Sequence, residues 1–125
     1  MGNSLSIKKI NFEELQASVN DRNIIISTLP DDKQDCLIKH TISIQNESQK
    51  INDLLKTNKQ GLIVIYGKNS QDDSVITKSK QLIQLGFTNI NLYLGGLFEW
   101  LLLQDIYGEE LFPTTSKELD LLKFK

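Results

Sequence analysis

Between positions 61 and 100 the chain reads G-L-I-V-I-Y-G-K-N-S-Q-D-D-S-V-I-T-K-S-K-Q-L-I-Q-L-G-F-T-N-I-N-L-Y-L-G-G-L-F-E-W, an order that few folds accommodate. Residues 62–66 are apolar, with the length and β-branched content of a buried strand. A polar loop of Gly67, Lys68, Asn69, Ser70, Gln71, Asp72 and Asp73 follows. The next segment predicts a helix, with Val75, Ile76, Ser79, Leu82 and Ile83 on one stripe and Gly86 placed to end it. Residues 90–94 predict a second strand; Gly95 and Gly96 then break the chain before the apolar residues 98–103. Strand, loop, helix, strand requires parallel pairing and helical cover. In open sheets of this kind ligands bind beyond the carboxyl ends of the strands. The loop of residues 67–73 therefore holds the candidate site. Its only hydroxyl is Ser70, and it contains neither cysteine nor histidine.

The flanking segments fit the same plan. Residues 6–10 predict a short first strand. Asn11 then caps a helix, with Glu14 completing a capping box and Ile10 and Leu15 forming a hydrophobic staple. That helix runs to about Val19, with Phe12, Leu15 and Val19 inward. Ile24, Ile25 and Ile26 form a buried strand, and residues 29–35 a polar loop. Residues 41–44 predict a short strand, after which Asn46 and Gln49 make a second capping box ahead of the stripe Ile51, Leu54 and Leu55. Residues 101–108 are too apolar for an ordinary amphipathic helix; they are buried on more than one side or they face a partner. Burial under the tail is the expectation. In the tail, Thr115 and Glu118 predict a capped turn that docks Leu119, Leu122 and Phe124, leaving Lys117, Lys123 and Lys125 solvated. Residues 1–10 thus form an N-terminal segment, and residues 11–125 one domain with a docking tail.

Three pieces of the chain together resemble the rhodanese-like domain family: Ile63-Val64-Ile65-Tyr66, Gly86-Phe87-Thr88-Asn89-Ile90, and Gly95-Gly96-Leu97-Phe98-Glu99-Trp100. In that family a buried strand ends in an aromatic residue and a cysteine. The cysteine opens a loop that leads into a helix, and G-F-x-N-V and G-G-x-x-x-W segments follow. The resemblance implies a three-layer α/β/α domain with a mostly parallel five-stranded sheet. It also implies sulfur transfer, or related phosphatase chemistry, through a thiolate. The thiolate would be held by loop amides and the N-terminus of the next helix.

The departures bear directly on that chemistry. Gly67 stands where the family carries its cysteine. Asp72 and Asp73 stand where active members often carry a basic residue, and Ser27-Thr28 stand near the family's Asp-x-Arg. A carboxylate at a helix start can occupy the amides that an external anion would use, so the loop reads as capped by its own acid. On this reading no residue is catalytic. Replacing Gly67 by Cys and Asp73 by Arg is then expected to restore some thiol reactivity.

Other chemistry-bearing residues are few. Cys36 and His40 lie four apart, but no acid partner or oxyanion donor can be assigned to them. The plainer reading has Cys36 packing as a small hydrophobe and His40 exposed beside a strand. One cysteine and one histidine fall short of a zinc site, so no metal and no cofactor is expected. The net charge of −2 gives no footprint for nucleic acid. A lone cysteine excludes an internal disulfide and suits a reducing, cytoplasmic setting. The start M-G-N-S-L-S-I-K-K fits an N-myristoylation pattern at Gly2, and Lys8 and Lys9 add local positive charge. One acyl chain would give reversible, peripheral membrane association.

Two functions remain open from the sequence. One is a rhodanese-like domain without catalysis that serves as a binding or adaptor module for a protein partner, at a membrane surface if Gly2 is acylated. Its contact surface is the loop or the apolar segment 97–107. The other is a divergent enzyme on the same scaffold, sulfurtransferase or phosphatase-like, working through Ser70, Cys36 or a small ligand on the loop amides.

Overall fold

A computed structural model describes residues 7–125. Five strands form one sheet: β1 (Ile7–Ile10), β2 (Ile24–Ser27), β3 (Thr41–Ile42), β4 (Ile63–Tyr66) and β5 (Ile90–Tyr93). Their order across the sheet is β1-β5-β4-β2-β3, and every pair is parallel. The sheet was expected to be mostly parallel; among the described strands it is wholly so. Ser6, the proposed start of β1, and the Gly2 acylation motif lie outside the described residues.

Four helices cover the sheet: α1 (Phe12–Asn20), α2 (Ile44–Thr57), α3 (Ser74–Leu85) and α4 (Gly96–Tyr107). The central strand β4 shows why both faces need cover. All four of its residues are buried, and side chains alternate across a strand. Val64 and Tyr66 enter the cluster that holds Leu15, Val19, Leu97 and Trp100 from α1 and α4. Ile63 and Ile65 enter the cluster that holds Ile51, Val75 and Leu82 from α2 and α3. The result is the expected α/β/α sandwich.

Local signals set several boundaries. Asn11 accepts from the Glu14 N–H at 2.9 Å while the Glu14 carboxylate accepts from the Asn11 N–H, which is the capping box read from sequence. Gly86 ends α3 at φ +115°, a conformation that costs an L side chain energy.

Three expectations fail, each for a physical reason. The helix α2 begins at Ile44 with Ser43 as its N-cap, not at Asn46. Asn46 is already inside the first turn, its N–H bonded to the Ser43 carbonyl, and Gln49 donates to Asp53. Consequently β3 ends at Ile42, and Ile44 belongs to the helix. In the tail, Thr115 caps nothing: its hydroxyl accepts from the Leu37 N–H at 3.0 Å and its N–H donates to the Leu37 carbonyl. Residues 113–116 run alongside residues 36–39, and a short 3-10 turn forms only at Leu121–Phe124. Phe124 is buried as expected, but Leu119 and Leu122 face solvent, and Lys123 pairs with Glu118 at 2.7 Å. Finally, α4 is buried on one side only. Leu97, Trp100 and Leu101 face the core, whereas Leu102, Ile106 and Tyr107 stay exposed. No helix among the described residues is long and apolar enough to cross a membrane.

Candidate functional site

The loop 67–73 leaves the carboxyl end of β4, the central strand, whose four residues are all buried. Tyr66 fixes that end. Its hydroxyl accepts from the Ile38 N–H at 3.1 Å and lies 2.8 Å from Thr41 Oγ1. Burial of the ring pushes the phenol pKa far above its ordinary value, so it stays neutral.

Gly67 is buried, and its missing side chain is matched by its surroundings. A Cβ built at Gly67 would lie 2.5 Å from Asp72 Oδ2 and 2.8 Å from Val75 Cγ2. The Asp72 carboxylate thus sits where a side chain at position 67 would begin. Its Oδ2 accepts from the Lys68 N–H at 2.8 Å, and its Oδ1 accepts from the Ser74 N–H at 3.1 Å and the Ser74 hydroxyl at 2.6 Å. Ser74 is the first residue of α3, so this negative charge lies at the positive end of the helix. Burial pushes the Asp72 pKa up, but the Ser74 hydroxyl, the Lys68 and Ser74 N–H groups and the Lys68 ammonium outweigh it. The net shift is downward. A carboxylate lowered in this way contributes stability above the ordinary aspartate pKa. That contribution is lost as pH falls through the lowered value.

The two acids, read together from sequence, part company. Asp73 is the exposed N-cap of α3 and makes no side-chain capping bond. The self-capping expected of the pair belongs to Asp72 alone. Asn69 closes the rest of the loop: its Oδ1 accepts from the Gln71 N–H at 2.9 Å and its carbonyl from the Asp72 N–H at 3.2 Å. Four N–H groups, those of Lys68, Gln71, Asp72 and Ser74, are thereby held by the loop's own atoms. Ser70 and Gln71 lie at the exposed tip, and the Ser70 hydroxyl has no hydrogen bond among the described residues.

Neighbouring segments hold the loop in place. The carbonyls of Gly67 and Lys68 accept from the N–H groups of Leu97 and Phe98 in the first turn of α4, both at 2.9 Å. That approach is possible because Gly96 has φ +72°, and a Cβ there would lie 2.7 Å from the Asn69 nitrogen. Thr28, just past β2, donates its N–H to the Tyr66 carbonyl at 2.9 Å, and its Oγ1 lies 2.7 Å from Ser74 Oγ. The tail arrives as well, with Asn69 Nδ2 donating to the Phe124 carbonyl at 3.1 Å.

Sequence reasoning missed Thr28 and Ser74 as loop partners. The signal for Ser74 was present, because an Asp followed two residues later by a hydroxyl at a helix start favours a local turn. The Thr28 contact spans 46 residues of sequence and leaves no local signal. Cys36 and His40 are not brought together. Cys36 is buried with its thiol on the Ser116 carbonyl, whereas His40 is exposed at φ +71°. Among the described residues no group of three or more His, Cys, Asp or Glu is placed to hold a metal ion.

A family model described as rhodanese-like domain matches residues 11–103. No curated protein sequence matches the chain. Solved structures do. A full-length protein from Lactobacillus plantarum superposes with TM-score 0.66 at 17% identity, covering 91% of this chain and 89% of its own. A Saccharomyces cerevisiae protein, described as a homologue of single-domain rhodanese and a phosphatase catalytic domain, gives TM-score 0.64 at 16% identity, covering 97% and 95%. A thiosulfate sulfurtransferase from Pseudomonas aeruginosa gives 0.60 at 17% identity, covering 81% of this chain but only 21% of that one. At such identities these likenesses carry the fold alone. The family match spans most of the sequence, and the sheet order, helical cover and loop position agree with it: the chain belongs to the rhodanese-like domain family.

Proposed function

We propose that this rhodanese-like domain performs no sulfur transfer and works as a binding module. The observation that carries the reading is the Asp72 carboxylate, which lies 2.5 Å from where a Cβ at position 67 would be and accepts from the Lys68 and Ser74 N–H groups. Persulfide chemistry needs a thiolate in that space and free donors around it. Here the space holds a fixed negative charge, which disfavours a thiolate at position 67 and takes the Lys68 and Ser74 N–H groups that would hold an oxyanion inside the loop. The divergent-enzyme reading has less support. The Ser70 hydroxyl hydrogen-bonds to no basic or acidic side chain among the described residues, and the Cys36 thiol is buried beneath the tail.

The surface offered to a protein partner is the outer face of α4, where Leu102, Ile106 and Tyr107 stay exposed on a helix whose other side is core. Acylation at Gly2 would bring that surface to a membrane reversibly.

One preparation tests this reading. The chain is produced together with an N-myristoyltransferase, weighed intact, and assayed for thiosulfate-to-cyanide sulfur transfer and for phosphatase activity. The expected result is an added myristoyl mass and rates equal to the blank. Turnover above the blank contradicts the module reading whether or not it survives Cys36→Ser, and an unmodified mass removes the lipid from it.

A further inference from the structure

A pocket of about 480 Å³ opens on the outer side of the same loop, walled by the stretch after β2, by the loop and by the last three residues. Four lysines from three separate segments line it: Lys33, Lys68, Lys123 and Lys125. Such a concentration runs against a chain whose net charge is −2. Asp72 is the one acidic side chain in the lining; the Lys68 and Ser74 N–H groups engage both of its oxygens, and the Lys68 ammonium acts on its charge. Lys123 is matched by Glu118, with Asp35 and Asp120 also acting on it. Lys33, Lys68 and Lys125 make no ion pair among the described residues. The positive charges of Lys33, Lys68 and Lys125 favour an anion in the pocket they line. Lysine binds phosphate oxygens as a point charge without demanding a fixed geometry. The volume is that of a small-molecule site rather than of a single ion, and Leu29 and Phe124 give it an apolar floor.

We propose that this lysine-walled pocket binds a small organic molecule through its phosphate groups. The proposal rests on the binding-module reading and names a ligand class for it. The same Asp72 that fills the loop's interior leaves the lysines outside it as the place where an anion can be held.

Amide NMR of the full chain, titrated with inorganic pyrophosphate against chloride at matched ionic strength, tests this. Saturable shifts are expected for residues around Lys33, Lys68 and Lys123–Lys125. With Lys33→Gln and Lys125→Gln together, both at exposed positions, the affinity is expected to fall at least about fivefold. Shifts spread over lysines elsewhere, or an unchanged affinity in the variant, overturn the proposal. So does a silent pyrophosphate titration in which phosphatidylserine vesicles broaden the same amides, since that assigns the pocket to a lipid headgroup. A silent titration beside blank sulfur-transfer rates defeats this inference alone, whereas turnover in that assay defeats the module reading beneath it.

Discussion

Gly67→Cys combined with Asp72→Ala, on a Cys36→Ser background, is expected to alkylate with iodoacetamide at pH 6 at least about tenfold faster than Gly67→Cys alone. In the single variant the new Cβ meets the Asp72 carboxylate at 2.5 Å, and any thiolate formed there faces a fixed negative charge. The charge holds the thiol protonated, and the crowding limits access to it. Removing the carboxylate opens the space and frees the Lys68 and Ser74 N–H groups at the start of α3, with the Lys68 ammonium nearby. Those are the conditions that bring a cysteine pKa from about 8.5 into the range of roughly 3.5–7.5. The change costs stability, on the order of 1–3 kcal/mol, because two N–H groups lose their acceptor. Circular dichroism of both variants therefore accompanies the rates. Equal rates in two folded variants would mean that Asp72 does not control the loop. The sequence suggested Asp73→Arg as the second change; Asp73 is exposed and outside the loop's interior, so that substitution is not expected to help.

Gly96→Ala is expected to lower unfolding free energy by about 2–4 kcal/mol in denaturant titration. Two costs combine. At φ +72° an L side chain is strained by roughly 1–2 kcal/mol. The added Cβ also meets the Asn69 nitrogen at 2.7 Å and the Lys68 carbonyl carbon at 2.8 Å, which are backbone atoms and cannot rotate away. The loop must then retreat from α4, loosening the bonds from Leu97 and Phe98 to the Gly67 and Lys68 carbonyls. Faster amide exchange at Leu97 and Phe98 is the accompanying sign. Gly86→Ala is the comparison, since Gly86 is also left-handed but its Cβ position has only atoms of the flexible Lys59 side chain nearby, at 3.5 Å or more. Should Gly96→Ala cost no more than Gly86→Ala, the loop is not packed tightly against α4.

What could be read from the sequence was local or repeated over short spans. The buried strand β4, the helix α3 with Gly86 at its end, and the Asn11–Glu14 box each depend on residues within a few positions of one another. The absence of a thiol at position 67 was equally legible, because it needs only alignment of the loop with the end of β4. Which acid would turn inward was not legible. Asp72 and Asp73 are chemically alike, and nothing in the sequence tells which of them stands at the start of α3 and which turns its carboxylate to the Lys68 and Ser74 N–H groups. The tail misled for a related reason. Thr115 and Glu118 carry a sound capping pattern, yet Thr115 is claimed by Leu37, 78 residues away, and Glu118 by Asp120 and Lys123. The lysine-lined pocket could not be read at all, since it is assembled from segments that only the sheet order brings together.

The central claim is that the loop is closed by its own carboxylate, and the titration of Asp72 tests it most directly. Side-chain carboxyl carbons and backbone amides are followed by NMR through the acid range. The expected result is an Asp72 midpoint below the ordinary aspartate range, with the Lys68 and Ser74 amides shifting at that same midpoint as their acceptor is protonated. An Asp72 midpoint at or above that range, with the two amides indifferent to it, would contradict the claim.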